Sequence, residues 1–481
     1  MLFVLFLVSY GYFFQGGGWN QNSRICLTRA IIHHRTFTID QCREDVGDLK
    51  FANTGDWAFY NGHYYSNKAP GLSFIAIPSF AVAEYLSGFF FLPGSEKHML
   101  FSVYMSTLCT TVLFSSLLCL LMFHIFNHFF RMNSNMCVLL TLCFGFGTLA
   151  FSYSTTFYAH QPSAFCSLLS FVLILHIRHG KVARKGIISL FAGFAAASAV
   201  VLEPSTLFIL VAVLLYAMSC RESRRYIIPF LAGCVPAGVV QGFYNVTCFD
   251  YPLSLSYQYS NELVMWQVNG TLFGIPSPQR LFQLLFSPYR GLFFTSPIFL
   301  MALPGSFLFF KNKRWRPELL FCLGVSLFFI IFIAGFHGWH GGWAAGPRYL
   351  LPAFPWFFLL TGFSLTRFPK IFKVIGLVSV LINLSITIVG NEIPLEVKNP
   401  LAEVVLKSLI AGSIAINPVP LSHFEDYNMN DLVRIDAWEA NFNSFNLGEL
   451  LFPNSLASIF PLMCFWIIWG YWWRRFFRTL E

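Results

Sequence analysis

Thirteen apolar runs punctuate the chain, at 1–15, 70–92, 98–125, 134–152, 161–177, 186–202, 205–220, 227–245, 292–310, 318–336, 349–364, 371–390 and 454–473. Most have the length that crosses about 30 Å of hydrocarbon as a helix. In lipid a spanning segment must satisfy its own backbone hydrogen bonds, so runs of this length predict helices and not strands. The pattern therefore predicts an all-α, polytopic transmembrane protein. It would have about 12–13 membrane helices, with juxtamembrane helices and loops on one face.

Composition agrees with the pattern. The 481 residues are 56% hydrophobic and 11% charged, against about 25% charged in a soluble domain. Phenylalanine alone occurs 58 times. The first run, "MLFVLFLVSYGYFF", has no basic flank and no small-residue cleavage site, so it reads as a retained first span. The net charge of +9 sits in short loops, not along one polar face, which gives nucleic acid no footprint.

Those loops fix an orientation. If 70–92 lies along the outer surface or re-enters without crossing, the segments 126–133, 178–185, 221–226, 311–317, 365–373 and 474–481 share one side. They carry 18 of the 31 Lys and Arg, as the positive-inside rule requires. Twelve crossings with both termini inside follow. The elaborate outer face then comprises 16–69, 153–160, the turn at Glu203-Pro204, 246–291, 337–348 and 391–453. We divide the chain into a membrane module (1–390), an outer cap (391–453), and a last span with a basic tail (454–481).

No nucleotide-binding, zinc-protease or nucleophile-elbow motif occurs in a supporting context. Internal repeats, the mark of many transporters, are not evident. The cysteines show no metal spacing. Most lie in apolar runs, while Cys26 and Cys42 fall in one polar segment where a bridge between them is open.

Ionisable groups gather where outer loops meet spans, and charge at that depth is a functional candidate by default. Lys68 closes "NGHYYSNKAPG", behind Tyr64 and Tyr65; His160 opens the span after "FYAHQP"; Glu203 makes the turn in "VVLEPST". Arg290 lies in "FSPYRGLFF", and Arg348 ends "HGGWAAGPR", which begins with His340. Each has a plainer reading: Lys68 and Arg290 as headgroup anchors, Glu203 as a helix cap, His160 as a packing residue. Glycine freedom, aromatic surface and one fixed cation before Arg348 suit an anionic ligand.

The ordered blocks "TGDWAFYNGHYYSNKAPGLS", "FYAHQPSAF", "LLFSPYRGLFFTSPIFLMALPG" and "GGWAAGPRYLLPAFPW" resemble GT-C membrane glycosyltransferases, over roughly residues 1–470. The likeness implies a polyprenyl-phosphate-linked sugar donor and a lipid, glycan or protein acceptor. It also implies membrane lipids as surroundings and a site facing outward from a bacterial cytoplasmic membrane. Lys68, in the family's N-G-x-x-Y-x-x-K-x-P segment, would approach the donor phosphate, helped by Arg290 and Arg348. Tyr64, Tyr65 and His340 would line the cavity, and His160 and Glu203 would orient sugar or base. No cofactor is implied, and a divalent metal is left open. The family places a carboxylate just after the first span, where this chain has Asn20-Gln21-Asn22. The general base would then be Asp56, or failing that Asp40, with His160 where the second outer loop sometimes carries an acid. The rival expectation is an inactive homologue or a lipid or saccharide transporter.

Overall fold

A computed structural model describes residues 1–44, 54–180, 182–260, 271–412, 414, 444–453 and 455–478. About half of the expected cap, residues 413 and 415–443, lies outside the described residues. Every one of the thirteen apolar runs contains a helix. Eight are long and apolar enough to cross a membrane: Glu96–Phe129, His160–His179, Lys185–Leu202, Ile227–Phe249, Lys313–Gly335, Arg348–Arg367, Pro369–Val389 and Leu456–Arg475. Five are shorter: Leu2–Gly11, Gly71–Ser87, Ser134–Phe146, Pro204–Met218 and Pro297–Lys311.

Packing follows from what lipid-borne helices have available. Hydroxyls along Glu96–Phe129 turn back onto their own helix, as Ser102, Ser106, Thr107, Thr110, Ser115 and Ser116 donate to carbonyls four residues earlier. The Lys185–Leu202 and Ile227–Phe249 helices meet at facing glycines. A Cβ on Gly193 would overlap the Phe230 carbonyl, and one on Gly233 the Leu190 carbonyl. Small residues at such crossings let the backbones touch. Elsewhere the interior is aromatic: fully buried Trp356 packs edge-on against Phe171 and Phe321.

The bundle has two distinct ends. At one, Phe130 packs on Phe309, Trp315 and Phe363, His179 packs on Trp315, and Arg178 donates to Ser219. The short basic loops therefore gather there, as the charge pattern required. At the other end Gly71 abuts Val201 and Leu202, while Leu108 and the Tyr104 hydroxyl reach Gly11. The Gly71–Ser87 helix and the first third of Glu96–Phe129 thus form a hairpin that leaves and rejoins the bundle at the same end. A non-crossing segment must do this.

Two small antiparallel sheets furnish that second end. Phe13–Gln15, where the first helix exits, pairs with Ser444–Asn446, just before the last one. Gln15 then ties in the Pro369–Val389 helix, its amide donating to the Thr387 carbonyl and its oxygen accepting from Asn391 N. The second sheet is the hairpin Trp57–Tyr60 with His63–Ser66. Cys26 and Cys42 form a disulfide, Cα atoms 6.1 Å apart, beneath it.

Candidate functional site

The hairpin turns on Asn61 and Gly62, both in the left-handed region at φ 49° and 84°. Asn-Gly favours this two-residue turn, and the alternation it sets up decides where each side chain goes. Tyr64 packs on Trp57 and Phe59, and Tyr65 on Phe249. Both rings therefore anchor the hairpin, where a cavity wall had been expected. Asp40 accepts from the Tyr64 amide at 2.7 Å and sits 2.8 Å from the exposed His63 ring, so it fastens the outer edge of the hairpin.

The inner edge leads to Lys68. Ser66 meets Ser23 at 2.8 Å and accepts from the Lys68 amide. Gly71 then lies so close to Val201 that a Cβ would be 2.6 Å from its carbonyl oxygen. This contact brings the strand end beside Glu203. Lys68 is 3% exposed, with Nζ 3.0 Å from Asp56 Oδ2. Asp56 is itself set by Thr54, whose hydroxyl accepts from the Asp56 amide and donates to the Trp19 carbonyl.

Around this pair stand Arg24, Arg348, Glu203 and Glu392 with their partners. Arg24, on the buried face of Trp19–Arg29, bonds through one terminal nitrogen to Asn20. Burial lowers its pKa, opposed chiefly by Glu203. His160 Nδ1 lies 3.1 Å from Glu203 Oε2, and its ring stacks on Tyr158 with centroids 5.6 Å apart. Arg348 donates to the Tyr158 hydroxyl at 2.8 Å, which donates to Glu392 Oε1 at 2.6 Å. Gln21 donates to the same oxygen at 3.1 Å. Glu392 is buried, and that burial raises its pKa despite these donors. A Cβ on Gly18 would overlap its carboxylate, so glycine there is what admits it.

Three cations thus face three carboxylates, with His160 among them. The groups act on one another: Glu203 is felt by Arg24 and Lys68, and Glu392 by Asp56 and Arg348. Several buried polar atoms nonetheless have no hydrogen-bond partner among the described residues: Arg24 Nε, Arg348 Nε, His160 Nε2, Gln21 Oε1 and both amide atoms of Asn67. Native interiors hold few such atoms, and each calls for an explanation.

Arg290 and His340 stand apart from this cluster. Arg290 is fully buried, and its guanidinium donates to the carbonyls of Tyr289, His340, Gly342, Ile393 and Pro394. It staples the 337–348 loop to the 391–394 segment, and burial pulls its pKa down to about 10. A direct grip on a ligand phosphate, expected from its place at a span boundary, does not fit a guanidinium so occupied. His340 accepts from the Gly342 amide through Nδ1. Burial first, then Arg290 and Arg348, lower its pKa to about 4. Among the described residues no group of three or more His, Cys, Asp or Glu could hold a metal ion.

Glu392, Arg24, Tyr158 and Asn67 were not singled out in the sequence. Glu392 had a signal: a carboxylate two residues beyond an apolar run, "VGNEIP", is the same kind of boundary charge as Lys68.

The architecture has a counterpart among solved structures. The crystal structure of ArnT from Cupriavidus metallidurans bound to undecaprenyl phosphate superposes with a TM-score of 0.52 at 14% identity, covering 90% of this chain and 68% of that one. The chain shares the fold of that structure. The archaeal oligosaccharyltransferase AglB from Archaeoglobus fulgidus, in complex with an inhibitory peptide and a dolichol phosphate, is more distant. Its TM-score is 0.47 at 11% identity, over 89% of this chain and 60% of that chain. No family model matches the chain, and no curated protein matches it in sequence. In this fold, the order of blocks in the sequence acquires a three-dimensional meaning. Lys68, His160, Glu203 and Arg348 converge at the loop-rich end, whereas Asp40, Tyr64, Tyr65 and Arg290 build the frame around them.

Proposed function

We propose that the chain is a membrane transferase that moves a sugar from a polyprenyl-phosphate carrier to an acceptor hydroxyl at the outer face. The observation that carries this is the set of buried, unpartnered donors around Lys68 and Asp56, in a fold shared with a protein crystallised with undecaprenyl phosphate.

The ion-pair arithmetic suggests how it would work. Because three cations already face three carboxylates, an incoming phosphate competes with them, most directly with Asp56 for Lys68. Lys68 is the one to yield, being a compact charge that sits against Asp56 and also feels Glu203. Arg24 and Arg348 would add their unpartnered Nε–H groups to the phosphate oxygens and stabilise charge as the glycosyl bond breaks. Asp56, losing its counter-ion, would become more basic and remove the acceptor proton. Donor binding and base activation would then be one event. Glu203 and His160 would hold the sugar, and Asn67 would offer its amide to a sugar hydroxyl. Glu392 stands beside Gln21, where the sequence lacks a carboxylate after the first span, and is the competing base.

The test is transfer itself. Purified protein should release polyprenyl phosphate from at least one member of a panel of lipid-linked sugars. No release across the panel, from protein that still binds the donor, would sink the proposal. Sidedness is checked separately. In intact cells, Gly94→Cys should react with a membrane-impermeant thiol reagent above the wild-type background, and Lys313→Cys should not.

A further inference from the structure

The loop-poor end of the bundle contains a cavity that the transfer scheme does not use. It measures about 270 Å³ and is lined by His128, Phe129, Arg131, His179, Arg314 and Trp315, together with Asn127. His179 ends the helix that His160 begins. Twenty residues at 1.5 Å each set the cavity about 30 Å from the transfer site, one hydrocarbon thickness away.

Its lining is selective in charge. Two arginines and two histidines line it, and no carboxylate does. The nearby Glu318 is buried behind it, bonded to the Tyr216 hydroxyl and His179 Nε2, with Arg178 Nε at 3.7 Å. Trp315 is the fixed surface against which the others are set. The His179 ring lies 4.8 Å from it, Phe130 5.1 Å, and the Arg314 guanidinium 5.0 Å. Arg131 takes φ 51°, a left-handed conformation that costs a non-glycine residue roughly 1–2 kcal/mol. That strain persists where the surroundings impose it, and it puts a second guanidinium at the cavity.

Paired guanidinium forks match the oxygens of a phosphate, and buried indole and phenyl rings at membrane depth match the glycerol and upper acyl carbons of a lipid. The volume is below the usual range for drug-sized ligands, enough for a phosphate and its ester neighbours. We infer that this cavity binds the phosphate group of a membrane lipid, on the face of the membrane opposite the transfer site.

The experiment uses the full chain in detergent, with phosphatidylglycerol and inorganic phosphate as probes and retention read by native mass spectrometry. Phosphatidylglycerol should stay bound to wild type. The double variant Arg131→Gln/Arg314→Gln should lose at least tenfold in retention, whereas Lys313→Gln, a neighbouring cation outside the lining, should change it less than twofold. Displacement of the lipid by millimolar inorganic phosphate would assign recognition to the phosphate alone, and resistance to it would assign the lipid headgroup with its glycerol. Equal retention by wild type and a folded double variant would overturn the site. If that variant fails to fold, Arg131→Lys/Arg314→Lys decides. Keeping the charge while losing the forks should cut retention severalfold, and unchanged retention would overturn the site equally.

Discussion

The two ends of the His160–His179 helix make a natural comparison, because each sets a histidine against a carboxylate. Glu318, at the loop-poor end, receives Tyr216, His179 and Arg178 together, and its counter-ions come from fixed positions on packed helices. At the loop-rich end the same chemistry is divided: Glu203 with His160, Asp56 with Lys68, Glu392 with Tyr158 and Gln21. There the arginines keep nitrogen atoms without partners among the described residues. Glu318 gathers its three partners on Oε1 alone, while Oε2 has no hydrogen-bond partner among the described residues, and groups fixed on packed helices hold that one arrangement. Among the carboxylates of the loop-rich end, Asp56 holds Lys68 directly, a cation that it can pass to a ligand. The difference marks which end is built to change partners.

Four measurements would break or sharpen that contrast. Asp56→Asn should lower turnover by about 10²–10⁴-fold, the usual worth of a general base, with donor affinity equal or tighter because Lys68 is released. If Glu392→Gln shows that loss and Asp56→Asn does not, the base sits beside Gln21 instead. Glu318→Gln should act on stability, since it leaves Arg178 and His179 beside an uncharged amide; breaking a buried pair costs about 3–5 kcal/mol. Thermal unfolding reads this, and surviving protein should turn over normally. Lys68→Ala should weaken donor binding by about ten- to a hundredfold, the scale of one or two charge-assisted hydrogen bonds. Unchanged donor binding would return Lys68 to the role of a headgroup anchor. The smallest effect concerns pH. Burial raises the Glu392 pKa, so its contribution to stability is complete below the unfolded pKa and fades as pH climbs through the folded one. Relative to Glu392→Gln, wild type should therefore lose stability as pH rises above the unfolded carboxylate value of about 4.3. A difference that stays flat would mean that the carboxylate ionises in the fold without penalty.

The membrane helices were legible because each is a long apolar run, and lipid leaves such a run only one backbone conformation. Their ends were legible to within a few residues for the same reason. Lys68, His160, Glu203 and Arg348 were visible as charges at span boundaries, a position with few structural explanations. Their partners were harder to see. Gly18 and Glu392 are separated by almost the whole membrane module, and only the folded bundle shows that one admits the other. Arg290 shows the opposite difficulty. It has the same boundary signature as Lys68, yet five backbone carbonyls claim it, and nothing in "FSPYRGLFF" announces loops that come from residues 340–342 and 393–394. The Asn61-Gly62 dipeptide carried a turn signal that the sequence reading did not use, and in the hairpin it closes Tyr64 and Tyr65 pack on Trp57, Phe59 and Phe249.

The pairing of Phe13–Gln15 with Ser444–Asn446 has a consequence in time. The strand that leaves the first helix emerges almost at once during synthesis, but its partner follows about 430 residues later. At about 5–20 residues per second, that strand waits roughly 20–90 s with one edge unmatched. Gln15, which fastens the Pro369–Val389 helix and Asn391, waits nearly as long. The loop-rich end is therefore closed last, by the segment made just before the final helix. A chain truncated before Ser444 would insert most of its helices and still lack the clasp.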